Sequence, residues 1–201
     1  AKGLREGEAL EELVRYALER GVNHLELADV YGRGEAERAF GALLQGYPRH
    51  QLVLSSKCFW PMSEGVNDRG LSRKHLIESV EASLKRLNTD YLDVLMCQAF
   101  DHETPLDETL RALEDLICQG KLLYWGVGSW SVEALHQTVA LADRIGARRP
   151  ISCSPLYHLQ ERALVEHALA PTAEALGLGL LTWGPLAGGA LTGAYQQGSA
   201  P

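Results

Sequence analysis

The stretch HLELADVYG, His24 to Gly32, gathers groups that could do chemistry. It reads as a short buried strand ending in a carboxylate, Glu26, with a second carboxylate, Asp29, and a phenol, Tyr31, just beyond. Carboxyl and phenol groups can take and give protons at a reaction centre. Further polar residues recur at equivalent places: Lys57 after QLVLSS, Gln98 after YLDVLMC, Ser129 after LLYWGVG and Ser154 within PISCSPLY. Each falls at or just past the C-terminal end of an apolar strand candidate. In a barrel of parallel strands this is the face where catalytic groups converge. The plainer alternative is that every strand must end in something polar. That explains any one position well and the whole set less well.

The elements that must position these residues alternate along the chain. Apolar residues spaced i, i+3, i+4 predict helices over EALEELVRYALERG, EAERAFGALLQG, SRKHLIESVEASLKRLN, DETLRALEDLICQG, SVEALHQTVALADRIG and VEHALAPTAEALG. Ser72 and Ser131 are expected N-caps, and Thr104 is expected to cap a helix with Pro105 at its first position. Several helices end in Gly, where a left-handed cap would sit. Between them lie HLEL, QLVLSS, YLDVLMC, LLYWGVG, PISCSPLY and GLGLLTW. These are short, apolar and continuous, as expected of strands covered on both faces. Repeated βα units point to an α/β fold with a parallel sheet, either doubly wound or a (β/α)8 barrel. No G-x-G-x-x-G leads from the first strand into a helix, which disfavours the dinucleotide-binding open sheet.

At 201 residues, with 46% hydrophobic and 22% charged, the composition is that of one globular domain over residues 1–201. A net charge of −7 without a basic stripe argues against nucleic acid. No run could span a bilayer, so membrane insertion is not expected. The charged start AKGLREGEALEEL has no signal-peptide character, and a cytoplasmic location is expected. Cys58, Cys97, Cys118 and Cys153 lack metal-ligand spacing and are expected to be free thiols, with no metal site.

ADVYGRGEAE, SSKCFW, DRGLSRKHLIESVEASLKRLNTDYLDVL, TPLDETLRALEDLICQGKLLYWGVGSW and WGPLAGGALTGAY together resemble the aldo-keto reductases. FW after the lysine, RGLSRKH and YWG resemble in particular the potassium-channel β-subunit-like branch. The resemblance implies a (β/α)8 barrel, NADPH bound without a Rossmann fold, and hydride transfer to a carbonyl of a small-molecule substrate. It also implies an Asp–Tyr–Lys tetrad completed by His or Asn. Tyr31, as proton donor, and Lys57 match that pattern, and an ammonium beside a phenol favours the phenolate.

Other positions depart from the family. Glu26 stands where the family has aspartate, and Asp29 aligns with a variable site and is expected to cap the following turn. Gln98 takes the fourth tetrad position. Gly128-Ser129 replace the Ser-Asn pair that holds the nicotinamide carboxamide, and Ser154 replaces its glutamine partner. Gly184 replaces the serine of W-S-P-L, and Ala194 replaces the lysine that contacts pyrophosphate. Each lost neutral hydrogen bond costs about 1 kcal/mol and each charge-assisted one ~1.5–3. Several together weaken nucleotide binding by powers of ten, since ~1.4 kcal/mol is tenfold.

A barrel of this type needs about 250 residues. The resemblance implies a first strand before EALEELVRYALERG, and a seventh helix, eighth strand and last helix after GALTGAYQQGSAP. Six strand–helix units are recognisable. Omitted or processed segments are expected, with a second copy or partner chain completing the sheet, or a reduced barrel, as alternatives. Three functional readings follow. The first is an NADPH-dependent carbonyl reductase. The second, favoured here, is a scaffold with no favoured cofactor that does non-redox acid–base chemistry on a carbonyl-type molecule. There Tyr31 is the acid or base, Lys57 and Glu26 support it, Gln98 polarises the substrate oxygen, and Trp60, Trp130 and Trp183 wall the pocket. The third is a non-catalytic binding or regulatory subunit. Core packing is the alternative role for the tryptophans, and a structural ion pair is the alternative role for Lys57 and Glu26.

Overall fold

The computed structural model describes residues 8–193 and Tyr195. Helices and strands alternate throughout: α1 Glu8–Glu19, β1 His24–Glu26, α2 Glu35–Leu43, β2 Val53–Cys58, α3 Arg73–Leu87, β3 Leu92–Cys97, α4 Leu106–Cys118, β4 Leu122–Val127, α5 Val132–Ile145, β5 Ser152–Cys153, α6 Ala170–Leu176 and β6 Gly179–Leu180. The sheet is six-stranded, with strands in chain order. The expected α/β fold is therefore present, and its repeating unit is that of a (β/α)8 barrel. The chain divides into two compact units, Ala1–Trp125 and Gly126–Pro201.

In the first unit, β1 pairs in parallel with β2, and β2 with β3. Leu54, Leu76, Leu95, Leu113 and Leu116 form much of its interior. Ser72 caps α3 by accepting from the His75 amide, and Asn88 closes that helix in the left-handed conformation at φ 51. Gly41 on α2 lies where an added Cβ would come within 2.3 Å of the Arg86 carbonyl oxygen of α3. Only glycine allows this approach of the two helices.

In the second unit, Val127 pairs in parallel with Cys153, and β5 with β6. Ser131 caps α5 through the Ala134 amide, and Gly146 ends it at φ 68. Ahead of α6, Val165–Leu169 forms a wider π turn. Pro171 in the following turn lacks an N–H and crowds the carbonyl four residues back, a strain that such a turn relieves.

Two expectations need correction. Thr104 does not cap α4: Pro105 occupies the N-cap position, and the Thr104 hydroxyl donates to Asp101 instead. Nor is every strand covered on both faces, since Leu123 and Tyr124 of β4 are 42% and 53% exposed.

Candidate functional site

Strand pleat decides which polar residues can meet. Successive side chains point to opposite faces, and the register pairs Glu26 with Ser55 and Lys57 with Met96. Glu26, Ser55, Lys57 and Met96 therefore share one face, and Gln98, two residues beyond Met96, continues it. The other face is covered by helices: there Ser56 donates to Glu37 of α2.

On the first face Lys57 is the hub. Its Nζ lies 2.9 Å from Glu26 Oε1 and donates to the Leu27 carbonyl at 3.1 Å and to Tyr31 Oη at 3.2 Å. These partners match the three N–H donors of an ammonium. Its side chain is 9% exposed and that of Glu26 33%. Because the Tyr31 oxygen accepts from Lys57, the phenol's own proton is directed elsewhere. Gln98 Oε1 is buried with no hydrogen-bond partner. A half-turn of the amide would present its NH2 in the same place.

The turn after β1 fixes Tyr31 against Lys57. Gly32, Arg33 and Gly34 all have left-handed backbone, at φ 60, 53 and 90. A Cβ on Gly34 would lie 2.6 Å from Arg86 Cδ. Arg86 is itself held by fully buried Glu37, Nε to Oε2 at 2.6 Å, and by Ser83. Glu37 and Arg86 are supporting residues that sequence reading missed. The available signal was a glutamate on the helix face that otherwise carries Ala36 and Gly41. Asp101 was missed as well. It accepts from the Leu71 and Glu103 amides and the Thr104 hydroxyl, at 2.7, 2.9 and 2.8 Å. Burial opposes its charge, but these bonds outweigh burial and hold its carboxyl below the usual range. It ties the loop carrying Trp60 to the loop that begins at Gln98.

Asp29 is the residue expected to cap the following turn. It is fully buried on the helix-covered side, where Ser79 donates to its Oδ2 at 2.9 Å and Oδ1 has no hydrogen-bond partner. Burial, reinforced by Glu37, pushes its pKa up to about 6 against the lowering effects of Ser79, Val30 and Arg86. Burial likewise pushes the Cys97 thiol up to about 12 and the Cys58 thiol well above its ordinary value. Neither thiol supplies a nucleophile. Among the described residues, no cluster of His, Cys, Asp and Glu could hold a metal ion.

In the second unit, the Ser129 hydroxyl donates to the Ser154 carbonyl at 3.2 Å, and the Ser154 hydroxyl to the Leu181 carbonyl at 2.6 Å. The Trp183 indole N–H donates to Ser129 Oγ at 3.4 Å. Gly128 precedes Ser129 at the end of β4, and its carbonyl accepts from the Trp130 amide. Gly184 sits at φ 71, with Leu156 Cδ1 2.6 Å from where a Cβ would stand, so the backbone itself disfavours serine there. Ala194 lies outside the described residues. Trp130 is 3% exposed within the second unit, whereas Trp60 in the first and Trp183 in the second are 45% and 49% exposed. Trp60 meets Phe59 edge-on, with centroids 5.0 Å apart. No helix among the described residues is long and apolar enough to cross a membrane.

The family described as Aldo/keto reductase family matches residues 5–201. A probable voltage-gated potassium channel subunit beta from Oryza sativa subsp. japonica is 42% identical over 200 residues, covering 98% of this chain and 60% of that protein. A protein of the same description from Arabidopsis thaliana is 43% identical over 185 residues, covering 91% of this chain and 56% of its own length. The chain thus spans less than two thirds of either relative. With its parallel βα repeat and the match along almost its whole length, the chain belongs to the aldo/keto reductase family.

Proposed function

We propose that this chain performs non-redox acid–base chemistry on a small carbonyl-type molecule and does not hold NADPH tightly. The observation that carries the reading is the hydrogen bond from Lys57 Nζ to Tyr31 Oη. It leaves the phenol proton free for a carbonyl oxygen and places a cation beside the phenolate that forms. Two unit charges about 4 Å apart attract by about 4 kcal/mol at an effective dielectric near 20. That scale corresponds to a rate factor of up to about 10³. Glu26 orients Lys57 and, as the carboxylate of the site, takes the α-proton while Tyr31 protonates the carbonyl oxygen. Both protons return when the enol collapses, and Gln98, presenting its NH2, polarises the substrate oxygen.

The residues at the family's nicotinamide positions do not fit that cofactor. A carboxamide oxygen needs a donor, but the hydroxyl protons of Ser129 and Ser154 are engaged with the chain's own carbonyls, and Gly128 has no side chain. A second reading, a channel-associated subunit without catalysis, draws on the names of the plant relatives. The Lys57–Glu26 pair would serve there as structure.

The test is exchange of the α-protons of hydroxyacetone in D2O, followed by NMR, with the purified chain and no nucleotide. Exchange above the buffer rate is expected. Exchange that starts only when NADPH is added would contradict the proposal, and no exchange under either condition would favour the subunit reading.

A further inference from the structure

Asp29 is costly where it stands, and the acid–base reading makes no use of it. It is fully buried on the helix-covered side, where Ser79 of α3 donates to Oδ2 and Oδ1 has no hydrogen-bond partner. The charged groups that face it are engaged with each other. Glu37 of α2 accepts from Ser56 at one oxygen and from Arg86 of α3 at the other, both at 2.6 Å. Arg86, the cation among them, is thus bonded to Glu37 rather than to Asp29. Toward the sheet Asp29 meets the thiol of Cys58, which burial keeps protonated and which pairs in register with Cys97 of β3. A buried carboxylate with no bonded cation is expensive, and folds keep such groups mainly where function uses them. Its place in the chain indicates the use. Asp29 opens the turn that carries Tyr31: its amide donates to the Lys57 carbonyl at 3.2 Å, and the Tyr31 amide donates to the Ala28 carbonyl at 3.1 Å. Beyond Tyr31 the turn is strained, since Arg33 holds a left-handed backbone at φ 53 between two glycines.

We propose that Asp29 is a positioning residue for Tyr31, acting through its own protonation. Protonated, it fits the dry space behind the turn, and the phenol meets Lys57. Ionised, it draws the strained turn toward water, and the phenol loses its place. As a catalytic device this rests on Tyr31 acting as an acid. Burial, opposed by Ser79 and reinforced by Glu37, raises the pKa of Asp29 to about 6, with Val30 and Arg86 lowering it less. The turn is therefore ordered below that value and loosens as pH rises through it. Asp29 touches no substrate. Its carboxyl lies behind the sheet, on the face opposite Glu26 and Lys57.

Two measurements test this. In the ligand-free chain with 13C-labelled tyrosine rings, the Tyr31 signal, assigned by its loss in Tyr31→Phe, should shift with a midpoint at about 6. Asp29→Asn should hold that signal at its acid position at every pH. Ser79→Ala should move the midpoint upward, because it removes a hydrogen bond that favours the charged form. A Tyr31 signal that stays still through this range, or moves alike in Asp29→Asn, would overturn the proposal. In the hydroxyacetone assay, the rate of Asp29→Asn relative to the parent should rise from about one at about pH 5 to about five or more at about pH 7.5, the scale of a small misplacement. The ratio cancels the titration of groups common to both chains. A ratio constant with pH, in chains that do exchange, would overturn the proposal and leave the acid–base reading standing. No exchange in either chain, with the Tyr31 signal still following Asp29, would overturn the acid–base reading and leave the hold of Asp29 on Tyr31 standing.

Discussion

If the proposed chemistry holds, Tyr31→Phe should lower α-proton exchange of hydroxyacetone to the buffer rate, and Lys57→Met should lower it by about 10²–10³. The two losses have different origins. Phenylalanine keeps the ring over which Lys57 Nζ sits, 4.9 Å from the centroid, and deletes only the proton carrier. Methionine keeps the length of Lys57 and deletes the cation, so the phenolate forms without its neighbour and Glu26 loses its partner. Lys57→Arg should not restore activity. A planar guanidinium does not reproduce an Nζ that reaches Glu26, the Leu27 carbonyl and Tyr31 at once. Because the variants act on one unit, the double substitution should cost no more than Tyr31→Phe alone.

Asp29→Asn should stabilise the protein at neutral pH and leave it unchanged in acid. Asp29 titrates near 3.8 when exposed and at about 6 when folded, its pKa raised mainly by burial. Below about pH 4 both states carry the proton, and the carboxyl exacts no penalty. Between that point and about 6 the folded state binds a proton that the unfolded state lacks, so stability falls as pH rises. Above it the penalty is complete, on the order of 3 kcal/mol for a shift of about two pH units. Asparagine can keep the hydrogen bond from Ser79 without the buried charge. Denaturant unfolding at a series of pH values should therefore show the difference between parent and variant open through this window and then level off. Parallel profiles at every pH would show that Asp29 is not the group responsible.

Much of the fold was legible in the sequence because its signals are local. Helix periodicity, the Ser72 and Ser131 caps and the six apolar runs each depend on residues within a turn or two of one another. Part of the site was legible only through the resemblance: Glu26 stands five residues before Tyr31, where the family has aspartate, and Asp29 falls at a variable position. What could not be read depends on register and tertiary approach. Ser55 meets His24 across 31 residues, and Arg86 meets Glu37 across 49. The hydrogen bond that partly offsets the burial of Asp29 comes from Ser79 of α3, 50 residues away. Thr104 followed by proline read as a cap, although Asp101, only three residues back, takes its hydroxyl. The serines at 129 and 154 read as weakened donors. Only the strand ends show their protons engaged with Ser154 and Leu181 carbonyls.

The most direct test of acid–base chemistry without a tightly held nucleotide is thermal unfolding of the chain with increasing NADPH. Binding to the folded state alone stabilises by RT ln(1 + [L]/Kd), about 2.7 kcal/mol at a hundredfold excess over Kd. For a chain of this length that would raise Tm by about 5–10 °C. The account predicts no rise at about 1 mM NADPH, as expected if several cofactor hydrogen bonds are missing. A saturable rise of that size with a micromolar midpoint would contradict it and return the chain to the NADPH-dependent reductases.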